Sequence, residues 1–423
     1  MRKLILAVLA ALPALALAGG YSVPNVNPRD LAMCGSLVAA QDTAAAAFAN
    51  PSALARLEGL NVSAAFSAID FKSSWSDPAN LGLGPPATMD TNIATPPAVY
   101  AAWASRLPND MRYGVGIGFT VPFGGNVYWP SGWAGDTDII TVNRRIYATY
   151  FTLGLEPLPW LRVGGGFIWY RGTEELSQRL ITSQSTGTLG VAGNGYSYDV
   201  SAEVQPIEPL RIAIDYKHKS TLGLTGHAHF DGSPPSELAP LSYDQTVSHQ
   251  LTVPNTLGMG LSYQVLPALL ATGSFTWDRF IVYDQDLFVG GAGAVIQVPR
   301  NYHNGYTYRL GAEYSGFDKL KLRAGGLRDI APTPAEWLSP TIPDANVWGV
   351  SVGGSYEFFK GFSVDAAYFH AFYDQITTPT GANGLYNVFP GTYDTRANIF
   401  SIGVTWVPQF AQPAVGQQPP AAK

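Results

Sequence analysis

The sequence predicts an all-β fold, a transmembrane antiparallel β-barrel of about fourteen strands with a small N-terminal helical plug in its lumen. Three observations predict it. Apolar and polar residues alternate with period two through segment after segment from Leu60 to Val407. Short and long connections follow one another along that whole stretch. Hydrophobic residues make up 46% of the chain and charged ones 13%, yet beyond the first residues no run is long and apolar enough for a membrane helix. A barrel spreads its apolar face in this way because every second residue looks at lipid.

The chain opens with Met1-Arg2-Lys3, an apolar run from Leu4 to Leu17, and the small-x-small site Ala16-Leu17-Ala18. Residues 1–18 therefore read as a secretory signal peptide, which lies outside the fold. Residues 19–59 do not alternate. Within them Asp42 to Leu57 is rich in alanine and breaks at Asn50-Pro51, so a short helix ended by proline is expected. A barrel of this size has a lumen too wide for its own side chains to fill, which places the segment inside as a plug.

Residues 60–407 form the barrel, with strands centred near residues 65, 102, 116, 148, 167, 201, 214, 257, 275, 309, 322, 352, 367 and 402. Tight breaks fall at 107–110, 156–159, 205–209, 265–267, 315–318 and 359–361. Longer connections fall at 73–96, 123–137, 181–195, 226–246, 289–300, 331–345 and 377–393. Short turns on the periplasmic side and long loops outside are the habit of outer-membrane barrels. A Pro/Gln/Ala-rich periplasmic tail, 408–423, closes the chain.

The strands have two unlike faces. Tyr113, Val115, Ile117, Phe119 and Val121 share one face, with Gly114, Gly116, Gly118 and Thr120 on the other. With Ile212, Ile214 and Tyr216 towards lipid, Arg211, Asp215 and Lys217 point into the lumen, and Arg309, Glu313, Lys321 and Arg323 do so likewise. A lipid-facing charge at the midplane costs about 2–4 kcal/mol, which fixes this phase. The inward charges make either a salt-bridge ladder or a basic patch for a carboxylate. Tyr100, Trp103, Trp160, Trp169, Tyr216, Tyr283, Trp348 and Trp406 near strand ends read as interfacial girdles. The lone Cys34 permits no intrachain disulfide and reads as a small buried residue. A net charge of −6 gives no nucleic-acid footprint.

Ala40-Gln41-Asp42-Thr43-Ala44, followed by Phe48-Ala49-Asn50-Pro51-Ser52-Ala53-Leu54, resembles the plug signature of the FadL family (OmpP1/FadL/TodX-like). Pro122-Phe123-Gly124-Gly125, with Tyr128-Trp129 and Trp133-Ala134-Gly135, is similar to that family's third strand and following loop. Tyr308 to Gly311, Arg323 to Gly325, Ile342 to Asp344 and Val364 to Ala366 resemble its C-terminal half. Ser52 stands where the family has Ala, Asp136 where many members have Arg, and the tail runs past the last strand. The resemblance implies passive uptake of fatty acids or aromatic and aliphatic hydrocarbons across the outer membrane of a Gram-negative-type bacterium. Capture would occur at extracellular loops and exit sideways at a kink in the third strand.

The residues support a break there, since Pro122 cannot donate to the ladder and Gly124-Gly125 weaken it. Phe48 and Leu54 are candidates for the ligand pocket, and Asp42, Asn50, Pro51 and Ser52 form the plug motif. Trp129 and Trp133 suit apolar capture or loop packing, and Arg171 and Arg179 a carboxylate or a solvated charge cluster beside Glu174 and Glu175. No cofactor is implied, and the expected partners are outer-membrane lipid and a hydrophobic small molecule, with the barrel a monomer. A general porin would lack the plug. An outer-membrane lipid-modifying enzyme would need a nucleophile motif, and none surrounds the six histidines.

Overall fold

Alternation along so many segments demands a sheet with one face in lipid, and closure removes its edges. A computed structural model describes residues 20–23, 27–179, 186–231, 244–291, 293, 295–381 and 383–408. The expected signal peptide and positions 409–423 of the tail lie outside the described residues. Fourteen strands close into one ring: β1 Gly59–Ser76, β2 Pro97–Arg106, β3 Arg112–Tyr128, β4 Thr141–Leu158, β5 Leu161–Arg179, β6 Thr186–Ile207 and β7 Leu210–Lys217, then β8 Thr256–Leu266, β9 Leu269–Asp278, β10 Gly305–Tyr314, β11 Leu320–Ile330, β12 Val347–Phe359, β13 Phe362–Tyr373 and β14 Thr392–Trp406. Each pairs antiparallel with its successor, and β14 returns to β1 from Val62↔Trp406 to Ser76↔Thr392. Every predicted strand centre falls within one of these strands.

The outward phase is apolar throughout. Val115, Ile117, Phe151, Leu153, Ile212 and Ile214 all stand exposed, an arrangement that only lipid tolerates. The same period corrects two girdle residues. Trp103 faces outwards on β2, so Tyr100 three positions earlier faces inwards and is fully buried. Tyr283 lies after β9 and is buried among aromatic rings.

Two connections expected as loops, 123–137 and 181–195, are partly strand. β3 continues to Tyr128 and β6 starts at Thr186, because β3 to β6 keep pairing above the membrane, through Tyr128↔Thr141, Thr141↔Ser177 and Arg179↔Thr186. Further ribbons extend that outer sheet. Ser220–Phe230 pairs with β6 and with Gln245–Val253, which in turn meets the hairpin Gln285–Gly290 and Val295–Pro299.

Inside lie two short helices, α1 (Pro28–Ala32) and α2 (Ala46–Ala49), and a 3-10 turn over Pro51–Arg56. Asn27 caps α1 by accepting from the Arg29 amide at 3.0 Å. The alanine run yields only one turn of helix, because Pro51 clashes with its continuation.

Candidate functional site: the plug, the break in β3 and the cavity between them

The plug is held by its Asn-Pro-Ser turn. The Asn50 carboxamide oxygen accepts from the Ser52 amide at 3.2 Å and the Ser52 hydroxyl at 2.6 Å, while its nitrogen donates to Val38 at 2.8 Å. The Ser52 amide also donates to the Ser201 hydroxyl on β6 at 2.9 Å. Against this turn the wall is glycine. A Cβ on Gly114, Gly154 or Gly164 would collide with backbone of Leu54, Pro51 or Ser52 respectively. Three strands thus give up their side chains so that the turn lies flat on the sheet. Leu54 is fully buried in that contact and so anchors the plug, away from the cavity's lining.

Charges finish the anchoring. Arg29 of α1 pairs with Asp42 at 2.7 Å and with Glu313 on β10 at 3.2 Å. Glu313 also receives Arg323 at 2.6 Å, and Arg323 reaches Asp365 at 2.6 Å. Glu313, Arg323 and Asp365 therefore form a ladder, and Arg29 of the plug is its first rung. Arg56 pairs with Glu203, which also binds Arg162 at 3.0 Å. Burial raises the Asp30 carboxyl to about 6, against the opposing pull of Arg29 and a hydrogen bond from Gln41.

The third strand breaks where its sequence forecast. Thr120 pairs with Ala148 but Phe123 with Ile146, so the strand carries one extra residue at Val121-Pro122. Pro122 sits where its missing N–H costs no ladder bond. From this point β2 is also lost, since its last pair with β3 is Val99↔Phe119. Residues 20–23 take the vacated edge. Val23 donates to the Pro122 carbonyl and Gly124 to the Tyr21 carbonyl, both at 2.8 Å, with Ser22 bridging to Phe123.

Tyr21 fixes this segment. Its ring meets Phe123, Phe280 and Tyr283 edge-on, at 5.9, 5.3 and 5.3 Å, and the Arg144 guanidinium lies 5.2 Å from its centroid. Arg144 in turn binds Glu174 at 2.6 Å and the Tyr283 hydroxyl at 3.2 Å. Asp286 accepts from Tyr283 at 2.6 Å and from Arg300 at 2.8 Å. Sequence reasoning missed this cluster, whose members come from segments too far apart to show a pattern. Asp344, in the loop between β11 and β12, accepts from Gly20 at 3.0 Å. Burial, then the neighbouring Asp329, pushes its carboxyl up to about 7.

Between plug and wall lies a cavity of about 210 Å³. Leu31, Val38, Phe48, Tyr150, Tyr170 and Phe369 line its apolar side, and it reaches Pro122 and Phe123 at the break. Phe48 packs edge-on against Tyr150 at 5.3 Å, with the Lys217 ammonium 5.4 Å from its ring.

The other candidates lie elsewhere. Trp129 and Trp133 stack at 4.5 Å and are buried with Trp75 and Phe389 beneath the outer loops. Their indole nitrogens donate to Pro340 and Ile139. Arg179 is bound to Asp136 at 2.8 Å, so Asp136 serves as its partner. Arg171 shares the outward phase of β5 with Trp169 and lies away from the lumen. Gly124 and Gly125 continue β3 opposite Arg145 and Arg144.

A closed barrel spanning the membrane, with a docked plug and an internal cavity, defines an outer-membrane transport barrel. Residues 9–407 match the family of outer membrane protein transport proteins (OMPP1/FadL/TodX), and the chain belongs to that family. It is 26% identical over 207 residues to an outer membrane protein of Neisseria meningitidis serogroup B, a match that spans 44% of each chain. Its fold is similar to that of a Pseudomonas aeruginosa FadL homologue, at TM-score 0.82 and 19% identity, covering 92% of this chain and 99% of that one. It is also similar to the Pseudomonas putida toluene transporter TodX, at TM-score 0.68 and 14% identity, covering 92% and 98%.

Proposed function

We propose that the protein takes up hydrophobic molecules, fatty acids or hydrocarbons, by passive diffusion across the outer membrane. A molecule lands on the apolar outer loops, where Leu81, Leu83 and Ile93 stand exposed. Trp129 and Trp133 give those loops a rigid floor. From there it enters the cavity beside Phe48 and leaves sideways into lipid between β2 and β3. The observation that carries this reading is that Pro122 and Phe123 line the cavity at the level where β2 no longer pairs with β3. Residues 20–23 cover that point and would have to move aside. No chemistry is required of any side chain, only an apolar path.

The test is uptake of labelled oleate and labelled toluene by cells lacking their own transporter, with and without this protein. Uptake of at least one is expected, and a sharp drop for Pro122→Val combined with Gly124→Ala, which removes the residues that favour a bulge and stiffens the break. Unchanged uptake in that folded variant would contradict lateral exit. Passage of small sugars in place of either probe would make the barrel a porin.

A further inference from the structure

The cavity also has a charged lining, and its charge is mostly acidic. Asp215 and Lys217 on β7, Asp278 on β9, Arg309 on β10, Asp329 on β11 and Asp30 of the plug all line it, four carboxylates against two cations. Lys217 is already engaged, and Arg309 lies on the strand between two of the carboxylates. Lys217 pairs with Asp215 and stands opposite Asp199 in the β6–β7 register. Arg309 donates to Thr276 at 2.5 Å and sits on the strand between those of Asp278 and Asp329. Of the carboxylates, Asp30 accepts from Gln41 at 2.5 Å, and the other three are less well served. Asp278 accepts from Thr256 at 2.6 Å, and Asp329 from Thr307 through one oxygen. The second oxygen of Asp329 and one oxygen of Asp215 find no hydrogen-bond donor among the described residues, although both side chains are almost wholly buried.

A buried acceptor without a donor carries its full desolvation cost, so a ligand that supplies the donor gains by entering. A ligand carboxylate would instead bring a further negative charge into a poorly screened space where acids already outnumber bases. We infer that the cavity selects hydrophobic molecules whose polar end donates a hydrogen bond, a hydroxyl or an amine, over molecules that end in a carboxylate. The apolar body lies along Leu31, Val38 and Phe48, and the donor faces Asp215 or Asp329. This inference rests on the uptake reading and names the substrate class within it.

The test compares uptake of labelled 1-dodecanol, dodecylamine, dodecanoate and dodecane at pH 7, each corrected for cells without the protein. Dodecanol and dodecylamine are expected to exceed dodecanoate roughly tenfold, the worth of one hydrogen bond to a charged acceptor. Asp215→Asn with Asp329→Asn should raise dodecanoate uptake and narrow the ratio. Dodecanoate entering as fast as dodecanol in the wild-type protein, or dodecane, dodecanol and dodecanoate entering alike, would overturn the inference and leave hydrophobic uptake standing. If none of the four exceeds the control, the uptake reading falls and the inference with it. The wild-type comparison needs no variant to fold.

Discussion

The two halves of β3 obey different rules. From Arg112 to Phe119 the strand is paired on both edges, with β2 and β4, and Gly114, Gly116 and Gly118 present a smooth inner face to the plug. After Thr120 the register shifts, β2 is gone, and Val121, outward by extrapolation, is buried. There the second edge is covered by residues 20–23 through two backbone hydrogen bonds. A hydrogen bond contributes about 0.5–1.5 kcal/mol net, so the backbone pairing of this cover is weak beside a full strand pair, and Tyr21 supplies most of its hold. The wall is continuous where the plug docks and only covered beside the cavity-lining Pro122 and Phe123. That difference suits a barrel that blocks water yet releases an apolar molecule sideways.

The comparison can be broken first from its lower half. Gly164→Leu drives a side chain into the Ser52 backbone, and displacement of the plug is expected to turn a non-conducting barrel into an open pore in planar bilayer recordings. A variant that folds and stays closed would show that the glycine cradle does not hold the plug. In the upper half, Tyr21→Ala removes the ring that Phe123, Phe280 and Tyr283 enclose, a loss of about 3–5 kcal/mol if it follows other large aromatic deletions. Limited proteolysis should then cut at residues 20–23 much faster, with the barrel intact.

A smaller effect is expected from Asn50→Ala, which removes the cap of the Pro51–Arg56 turn and its bond to Val38. The cost is about 0.5–2 kcal/mol, read as faster hydrogen exchange confined to the plug. The smallest effect is one of pH. Burial and the neighbouring Asp329 raise the Asp344 carboxyl to about 7 in the folded chain, while the Gly20 hydrogen bond lowers it. Its contribution to stability is therefore fully present below the ordinary carboxylate range and is lost as pH rises through about 7. Thermal unfolding at pH 5 and pH 8 should show the higher midpoint at pH 5, and Asp344→Asn should shrink the difference.

Much of this was legible in the sequence because lipid enforces it. Period-two phase placed every strand and assigned Ile212 and Ile214 outwards and Asp215 inwards, since a charge in hydrocarbon is costly. Tyr100 was misread by position along the strand, although its phase relative to Trp103 assigns it to the lumen. Pro122 announced the break, but the continuation of β3 to Tyr128 depends on partners supplied by β4 and by residues 20–23. No local pattern carries that information. The Tyr21–Arg144–Asp286 cluster was hidden for the same reason, and the role of Leu54 follows from glycines on neighbouring strands.

The central claim is that residues 20–23 cover an exit at the β3 break. It is tested most directly by Ser22→Cys with Phe123→Cys, bridge partners across that contact, in a Cys34→Ser background. Uptake of whichever hydrophobic probe the wild-type protein carries should be blocked when the disulfide is formed and return on reduction. Undiminished uptake with the disulfide demonstrably closed would show that the molecule leaves by another route.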